Sequence, residues 1–264
     1  MLMFKSLINY LISKTSGNLF CLLRTFFEKI LYGSKRTLYF KKSQYIRKFD
    51  KLKKTIYFPD KERSRLYSKG YKYRLDTLSK MYLLDTINFD DGDIVIDCGA
   101  NIGEIKLVLD NLNKKIDYHG FEPGSKEFEC LKKNLQEGKL YNYGLWHKNS
   151  YLNFYEKTDT ADSSFIINGR FDNTSKKKVA RLDNFNFKKI KLLKVEAEGA
   201  EPEVLLGTAK ILERIEFISV DCGPERGLKL EKTDEEVIKF LKNYKFDLIE
   251  RSKMRDVCLF KNKN

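Results

Sequence analysis

From residue 81 onward short apolar runs alternate with amphipathic stretches, which predicts strands interleaved with helices. Ile94 to Cys98 is a β-branched run of the kind carried by a strand buried on both faces. A polar turn, Asp90 to Asp93, precedes it, and Gly99 to Gly103 leads into a helix over Ile105 to Leu112. Ile116 to Phe121 predicts a second strand, residues 125–137 a helix, and Tyr141 to Trp146 a third strand. Tyr151 to Tyr155, a loop over 157–175 and Lys178 to Leu182 form an inserted hairpin. The fourth and fifth strands are Ile190 to Val195 and Ile215 to Val220, with a helix from Pro202 to Leu212 between them. Thr233 and Glu236 have the spacing of a capping box opening a helix at 234–243. Phe246 to Glu250 and Val257 to Phe260 close the chain as an antiparallel pair. Repeated β-α-β units of this length make a right-handed, doubly wound, mostly parallel sheet with helices on both faces.

Residues 1–32 follow a different pattern, two short amphipathic helices broken near Ser16-Gly17-Asn18. Leu7, Ile8, Leu11 and Ile12 share one face of the first. Leu19, Leu22, Leu23, Phe26, Phe27 and Ile30 share one face of the second. Residues 35–74 then alternate Lys or Arg with Tyr, Phe and Leu. Charge sharpens the division: residues 1–80 hold 20 Lys/Arg against 5 Asp/Glu, whereas the remainder holds 31 against 32. The expectation is a basic, mainly helical extension at 1–75 and a nearly neutral domain at 76–264. The apolar helix faces of the extension are expected to pack on the main domain or a second subunit, giving a homo-oligomer. Peripheral docking on an anionic membrane and a nucleic-acid arm are the alternatives.

No window reaches the 18 apolar residues of a spanning helix. Lys5, Asn9 and Ser13 interrupt the first apolar stretch and no small-residue cleavage site follows, so a cytoplasmic protein is expected, at the inner face of the membrane if the extension docks there. Five scattered cysteines without a CxxC pair suit a reducing compartment and suggest neither a disulfide framework nor a zinc site. Two histidines exclude a multi-histidine metal centre, leaving chemistry to carboxylates, Lys, Tyr or a cofactor.

In such sheets ligands bind beyond the carboxyl ends of the strands, where the strand order reverses. After the first strand stands Asp97-Cys98-Gly99-Ala100-Asn101-Ile102-Gly103-Glu104, whose glycines permit a tight turn and close approach of a ligand, with a helix N-terminus behind. A ligand-free turn is the plainer alternative. The dinucleotide pattern GxGxxG is not met, which disfavours an NAD-dependent oxidoreductase. Glu122, 19 residues beyond Gly103, stands where a carboxylate can accept hydrogen bonds from both ribose hydroxyls of a nucleoside. A surface acid at a strand end is its alternative. Cys98, Cys130 and Cys222 are expected to be small buried hydrophobes, and the run Lys176 to Lys178 a solvated loop or a set of phosphate contacts.

The segment Asp97 to Glu104, then Phe121-Glu122-Pro123, Tyr141 to Trp146, Ser163-Ser164, Arg181-Leu182-Asp183-Asn184 and Lys194-Val195-Glu196-Ala197-Glu198-Gly199-Ala200-Glu201, resembles the S-adenosylmethionine-dependent methyltransferases of the FkbM family over roughly residues 80–222. Glu196 departs from the family's usual Asp by one methylene, and residues 1–75 lie outside the likeness. The resemblance implies an α/β, class I methyltransferase (Rossmann-like) fold with the cofactor across the first two strand ends. By position, Gly99, Ala100, Asn101 and Gly103 would line its methionine part, so that a side chain at Gly99 would fill the cofactor's place. Asp97 would face its amino group, Glu122 and Pro123 its ribose, and Asn142, Gly144 and Leu145 its adenine.

Methyl transfer to a hydroxyl needs orientation and a base. Glu198 and Glu196 are the candidates, with Lys194 holding the acceptor or tuning the pair. Alternatively both acids bind cofactor and cap the following helix, or Glu198 and Asp221 hold a divalent cation. The expected activity is O-methylation of a sugar, nucleotide-activated sugar or glycan. A nucleic-acid methyltransferase is disfavoured, because no Pro-Pro-aromatic motif follows the fourth strand. A non-catalytic binding module is the remaining alternative.

Overall fold

The computed structural model describes residues 2–33, 36–157 and 162–263. Lys35 of the basic stretch and residues 158–161 of the expected 157–175 loop lie outside them. The chain divides into two compact units, residues 1–74 and 75–264.

The first unit opens with α1 (Leu2–Ser13) and α2 (Gly17–Tyr32), the pair that the hydrophobic pattern predicts. It continues with β1 (Arg36–Lys41), β2 (Gln44–Phe49) and β3 (Lys54–Phe58), an antiparallel sheet in the order β1-β2-β3. α3 (Lys61–Arg65) follows, then the start of α4 (Tyr71–Met81). The extension is therefore helical and sheet-forming in turn, not mainly helical. β3 shows the period of two of a strand with one buried face, Ile56 and Phe58 being buried and Lys54 exposed. Phe20, Ile56, Phe58 and Tyr67 form its interior. Glu28 is buried there between two arginines: Arg24 Nε lies 3.1 Å from Oε1, Arg47 Nη1 2.5 Å from Oε2, and Ser68 Oγ donates to Oε1 at 2.6 Å. The face expected to unite Leu19 to Ile30 splits. Phe27 is buried, whereas Leu19, Leu22, Phe26 and Ile30 are exposed.

The second unit is built on a seven-stranded sheet. Its strands are β4 (Ile94–Cys98), β5 (Asp117–Phe121), β6 (Lys139–Tyr141), β10 (Ile190–Val195), β11 (Ile215–Asp221), β12 (Phe246–Arg251) and β13 (Val257–Asn262). Their order is β6-β5-β4-β10-β11-β13-β12. The first five run parallel and β12 and β13 pair antiparallel, as the sequence predicts; β13 also pairs antiparallel with β11. Helices α5 (Glu104–Asp110), α6 (Ser125–Asn134), α7 (Glu201–Leu206) and α8 (Asp234–Asn243) follow β4, β5, β10 and β11. Ile96, Phe121, Leu193, Val195, Ile218 and Val220 belong to one core, which α7 joins through Val204 and Leu205 and α8 through Val237 and Leu241. The chain leaves β4 for β5 and β6 on one side and returns as β10 on the other, so the crevice lies where β4 and β10 end.

Four local expectations change. The third strand breaks after β6: Asn142 Nδ2 donates to the Glu122 carbonyl at 2.9 Å, and the chain resumes as β7 (Gly144–Leu145) in a separate sheet. That sheet, ordered β7-β9-β8, joins it to the hairpin of β8 (Ser150–Glu156) and β9 (Asn173–Ala180). Lys176 to Lys178 therefore lie on a strand, not in a loop. α7 stops at Leu206, and a 3-10 helix, Ala209–Arg214, completes the connection; Gly207 between them has no room for a side chain, since a Cβ there would stand 2.1 Å from the Trp146 carbonyl oxygen. Thr233 does not cap α8 through its side chain. Its hydroxyl donates instead to Glu201 Oε2 at 3.2 Å.

Candidate active site

The turn after β4 is fixed from three directions. The Gly99 and Ala100 amides both donate to the Phe121 carbonyl at 3.0 Å, and Lys194 Nζ donates to the Gly99 carbonyl at 2.9 Å. Gly99 has φ +75, and a Cβ there would lie 2.0 Å from the Glu196 carbonyl oxygen. Its smallness thus lets β4 and β10 exit side by side, a packing demand that stands beside the tight turn and the close ligand approach expected from the sequence. Gly103, φ +89, is held to the same limit by Leu131 and Leu135 of the α6 region.

Glu122 ends β5 in a buried position. Its Oε2 accepts the Asn101 amide at 2.8 Å and its Oε1 the Gly124 amide at 2.6 Å. Burial, then the neighbouring Glu127, push its carboxyl up to about 8 against these two hydrogen bonds. Each oxygen retains acceptor capacity, since a carboxylate offers about four lone-pair sites. Asn101, φ +49, presents a buried Oδ1 that has no hydrogen-bond partner among the described residues.

Asp97 and Lys194 form the buried floor. Lys194 Nζ stands 3.0 Å from Asp97 Oδ1 and 3.1 Å from Glu196 Oε2, and Tyr118 Oη donates to Asp97 Oδ2 at 2.6 Å. Burial alone would lower the Lys194 ammonium, but Asp97 and Glu196 outweigh it and hold it above its usual range. Asp97 therefore faces a lysine of its own chain instead of a ligand's amino group. Lys194, 1% exposed, ties the β10 exit to the β4 turn and cannot reach an acceptor. Leu145 is likewise enclosed in the core, so its side chain does not edge an adenine. Gly144 is hemmed by the Phe165 ring, 2.5 Å from where its Cβ would be. Asn142 is exposed and Pro123 half-buried beside Glu122.

Beyond β10 and β11 the acids gather. Arg255, from the β12–β13 turn, donates Nη2 to Glu196 Oε1 at 2.8 Å, pairs through Nε with Asp221 and lies 3.5 Å from Glu225 Oε1. Tyr82 packs its buried ring beneath both cations, its centroid 5.3 Å from Lys194 Nζ and 5.9 Å from the Arg255 guanidinium. Asp221 is thus taken by an arginine and by the Gly223 amide at 3.1 Å, which corrects its proposed pairing with Glu198 around a divalent cation. No cluster of three or more metal-ligating side chains forms among the described residues.

Glu198, φ +51, rides on a loop held on every side. Ser164 Oγ donates to its carbonyl at 2.9 Å, Glu201 Oε1 accepts the Ala197 and Gly199 amides at 3.0 and 3.1 Å, and Arg226 donates to the Gly199 carbonyl. Glu201 is consequently a loop anchor. Burial, then Glu225 and Glu196, raise the Glu198 carboxyl well above the usual range. Burial and Asp221 likewise push Glu225 up to about 8. Five carboxyl groups, on Asp97, Glu196, Glu198, Asp221 and Glu225, gather near the cations of Lys194 and Arg255. Such a site favours a ligand that brings positive charge and N–H donors.

A family model described as the methyltransferase FkbM domain matches residues 97–248, the span that carries every one of these groups except Tyr82 and Arg255. The chain belongs to the FkbM methyltransferase family. Among solved structures it is similar to the methyltransferase FkbM from Methylobacillus flagellatus, at 17% identity and a TM-score of 0.50, over 75% of this chain and 52% of that one. The methyltransferase thus spans about half the length of that relative, and the likeness is one of fold. It is also similar to precorrin-6y C5,15-methyltransferase from Geobacter metallireducens, at 12% identity and a TM-score of 0.43, over 78% of this chain and 94% of that one. TrmK of M. capricolum in complex with S-adenosylhomocysteine aligns at 12% identity and a TM-score of 0.41, over 73% and 68% of the two chains. Among curated proteins no sequence matches.

The residues present fit the S-adenosylmethionine expected for a member of this family. The unpartnered Asn101 Oδ1, the two-oxygen Glu122 acceptor and the surplus of acids suit an ammonium, a diol and a sulfonium in turn. Sequence reasoning finds Glu122, Asn101 and Glu198. It misses Arg255, Tyr82, Tyr118 and Glu225, whose neighbours in the chain carry no local signal of chemistry.

Proposed function

We infer that the enzyme methylates a hydroxyl of a sugar, nucleotide-activated sugar or glycan, with Glu198 as the general base. S-adenosylmethionine would supply, when bound, a methyl group on a sulfonium, transferable in line to an acceptor oxygen as the S–C bond breaks and the thioether leaves. Glu122 would hold the ribose hydroxyls and Asn101 the ammonium. Lys194 and Glu196 are spent on the chain of ion pairs from Asp97 to Arg255, and act by fixing the strand exits. The observation that carries the reading is the Glu198 carboxyl on its braced loop, crowded by Glu225 and Glu196. Such crowding gives it a high proton affinity, which a base for a weakly acidic hydroxyl needs. Positive charge brought into the site keeps it ionised.

Glu198→Gln tests this with labelled S-adenosylmethionine and a panel of nucleotide sugars and oligosaccharides. Turnover should fall about a hundredfold or more, within the range for losing a general base, while cofactor affinity stays within about twofold. Wild-type turnover in the variant removes Glu198 as base. Transfer to RNA or DNA and to none of the sugars would favour the second reading, a nucleic-acid acceptor, which the basic residues 1–74 support. The proposed setting is cytoplasmic, in keeping with five cysteines that are all buried.

A further inference from the structure

α2 carries apolar side chains on two opposite faces. Phe20, Cys21 and Phe27 are buried within the first unit, while Leu19, Leu22, Phe26 and Ile30 are 54–69% exposed. At 3.6 residues per turn these four fall within an arc of about 80°, a continuous stripe along the helix. Together they show on the order of 400 Å² of apolar surface, as much as the largest patch on a typical monomer and often the mark of an interaction site. α1 repeats the arrangement on a smaller scale. Leu7, Tyr10 and Leu11 are exposed along one face, and Lys14 ends that face with its ammonium 5.0 Å from the Tyr10 ring centre.

Charge identifies the occupant. Residues 1–74 contain 19 Lys/Arg and 4 Asp/Glu. Three of those four acids are already engaged: Glu28 is buried between Arg24 and Arg47, Asp60 caps α3, and Glu62 pairs with Arg65. Lys14, Lys29, Lys41, Lys42 and Lys48 all face solvent. A second copy of this surface would set like charges against each other. A nucleic acid would use the lysines and leave the stripe in water. An anionic lipid surface takes both, its headgroups meeting the lysines and its acyl boundary the stripe. α1 and α2 have 12 and 16 residues, and no described helix is long and apolar enough to cross a membrane, so the stripe would lie in the plane of the interface.

We propose that α1 and α2 seat the enzyme on an anionic phospholipid surface through Leu19, Leu22, Phe26 and Ile30. The test is flotation of the full chain with vesicles of phosphatidylglycerol and phosphatidylcholine at equal ratio, and with phosphatidylcholine alone, from 50 to 300 mM NaCl. The chain should float with the anionic vesicles at least about tenfold more strongly than with the neutral ones, and less as salt rises. The double variant Leu22→Ser, Phe26→Ser should lose about a hundredfold in partitioning, from the apolar area withdrawn. Its thermal shift with S-adenosylhomocysteine should remain that of the wild type, which establishes that it is folded. The double variant Lys14→Gln, Lys29→Gln should lose about twenty-fivefold, at roughly a factor of five per lysine near the surface. No flotation with anionic vesicles, equal binding to both vesicles, or undiminished binding of the serine variant overturns the proposal. So does a dimer in light scattering that the serine variant dissolves, since the stripe would then belong to a second copy.

Discussion

Replacing Gly99 by alanine separates the packing role of this turn from any role toward a ligand. Two costs follow from the geometry. A side chain at φ +75 pays the left-handed penalty, about 1–2 kcal/mol. The new Cβ would also stand 2.0 Å from the Glu196 carbonyl oxygen, and that oxygen belongs to a backbone held by the Cys98 carbonyl, which accepts the Glu196 amide at 3.1 Å. Forcing the two strand exits apart is an overpacking cost of about 1–3 kcal/mol. The sum, about 2–5 kcal/mol, lowers the melting temperature by roughly 5–20 °C for a unit of this size. Gly92→Ala is the control: its φ is +86, but nothing lies within 4 Å of the added Cβ, so it pays the backbone cost alone. Melting of both variants, followed by circular dichroism without cofactor, should place Gly99→Ala clearly below Gly92→Ala. If the two melt together, the contact with Glu196 is not what demands glycine.

Glu122→Gln keeps the shape and removes the charge that Glu122 carries above about pH 8, so at about pH 9 calorimetric affinity for S-adenosylhomocysteine should weaken about tenfold, the worth of hydrogen bonds to a charged acceptor; an unchanged constant removes the ribose role. Arg255→Met strips Glu196 and Asp221 of their shared cation and should cost about 2–4 kcal/mol, less than for a fully buried pair because part of the guanidinium meets water. A melting temperature equal to the wild type would refute it. Glu122 and Glu225, each raised from 4.5 to about 8, bind protons in the folded chain that the unfolded chain has lost, so the cofactor-free enzyme should lose melting temperature as pH rises from about 4.5 through about 8. Over the upper part of that window the ionising acids should tighten S-adenosylmethionine relative to S-adenosylhomocysteine, with proton release in paired calorimetry buffers; an affinity ratio flat from pH 6.5 to 9 would contradict the acid-rich site.

What the sequence discloses and what it hides follow from how far each signal reaches along the chain. The parallel strands are legible because a β-branched run and its bounding turns lie within a few residues of each other, and β10 is found to the residue. The Gly-rich turn is legible as a turn, but the reason for its glycine is not, because the obstructing oxygen belongs to Glu196, 97 positions away. Lys194 and Glu198 stand in one conspicuous block, yet their opposite fates depend on Asp97 and Glu225, brought in from other strand ends. Arg255 sits in a turn whose neighbours give no hint of chemistry. In the extension, Arg47 is buried in the middle of β2 because Glu28 meets it, which breaks the polar-apolar alternation that would otherwise announce a strand.

That buried glutamate has a consequence for how the front of the chain can be remodelled. Its partners arrive from α2, from β2 and from Ser68 beyond α3, so any deletion ending between residues 33 and 68 strands at least one charge or hydroxyl without its counterpart. A set of nested truncations should therefore yield well-behaved protein at its two ends only, with the whole extension kept or the whole extension removed, and aggregating products in between.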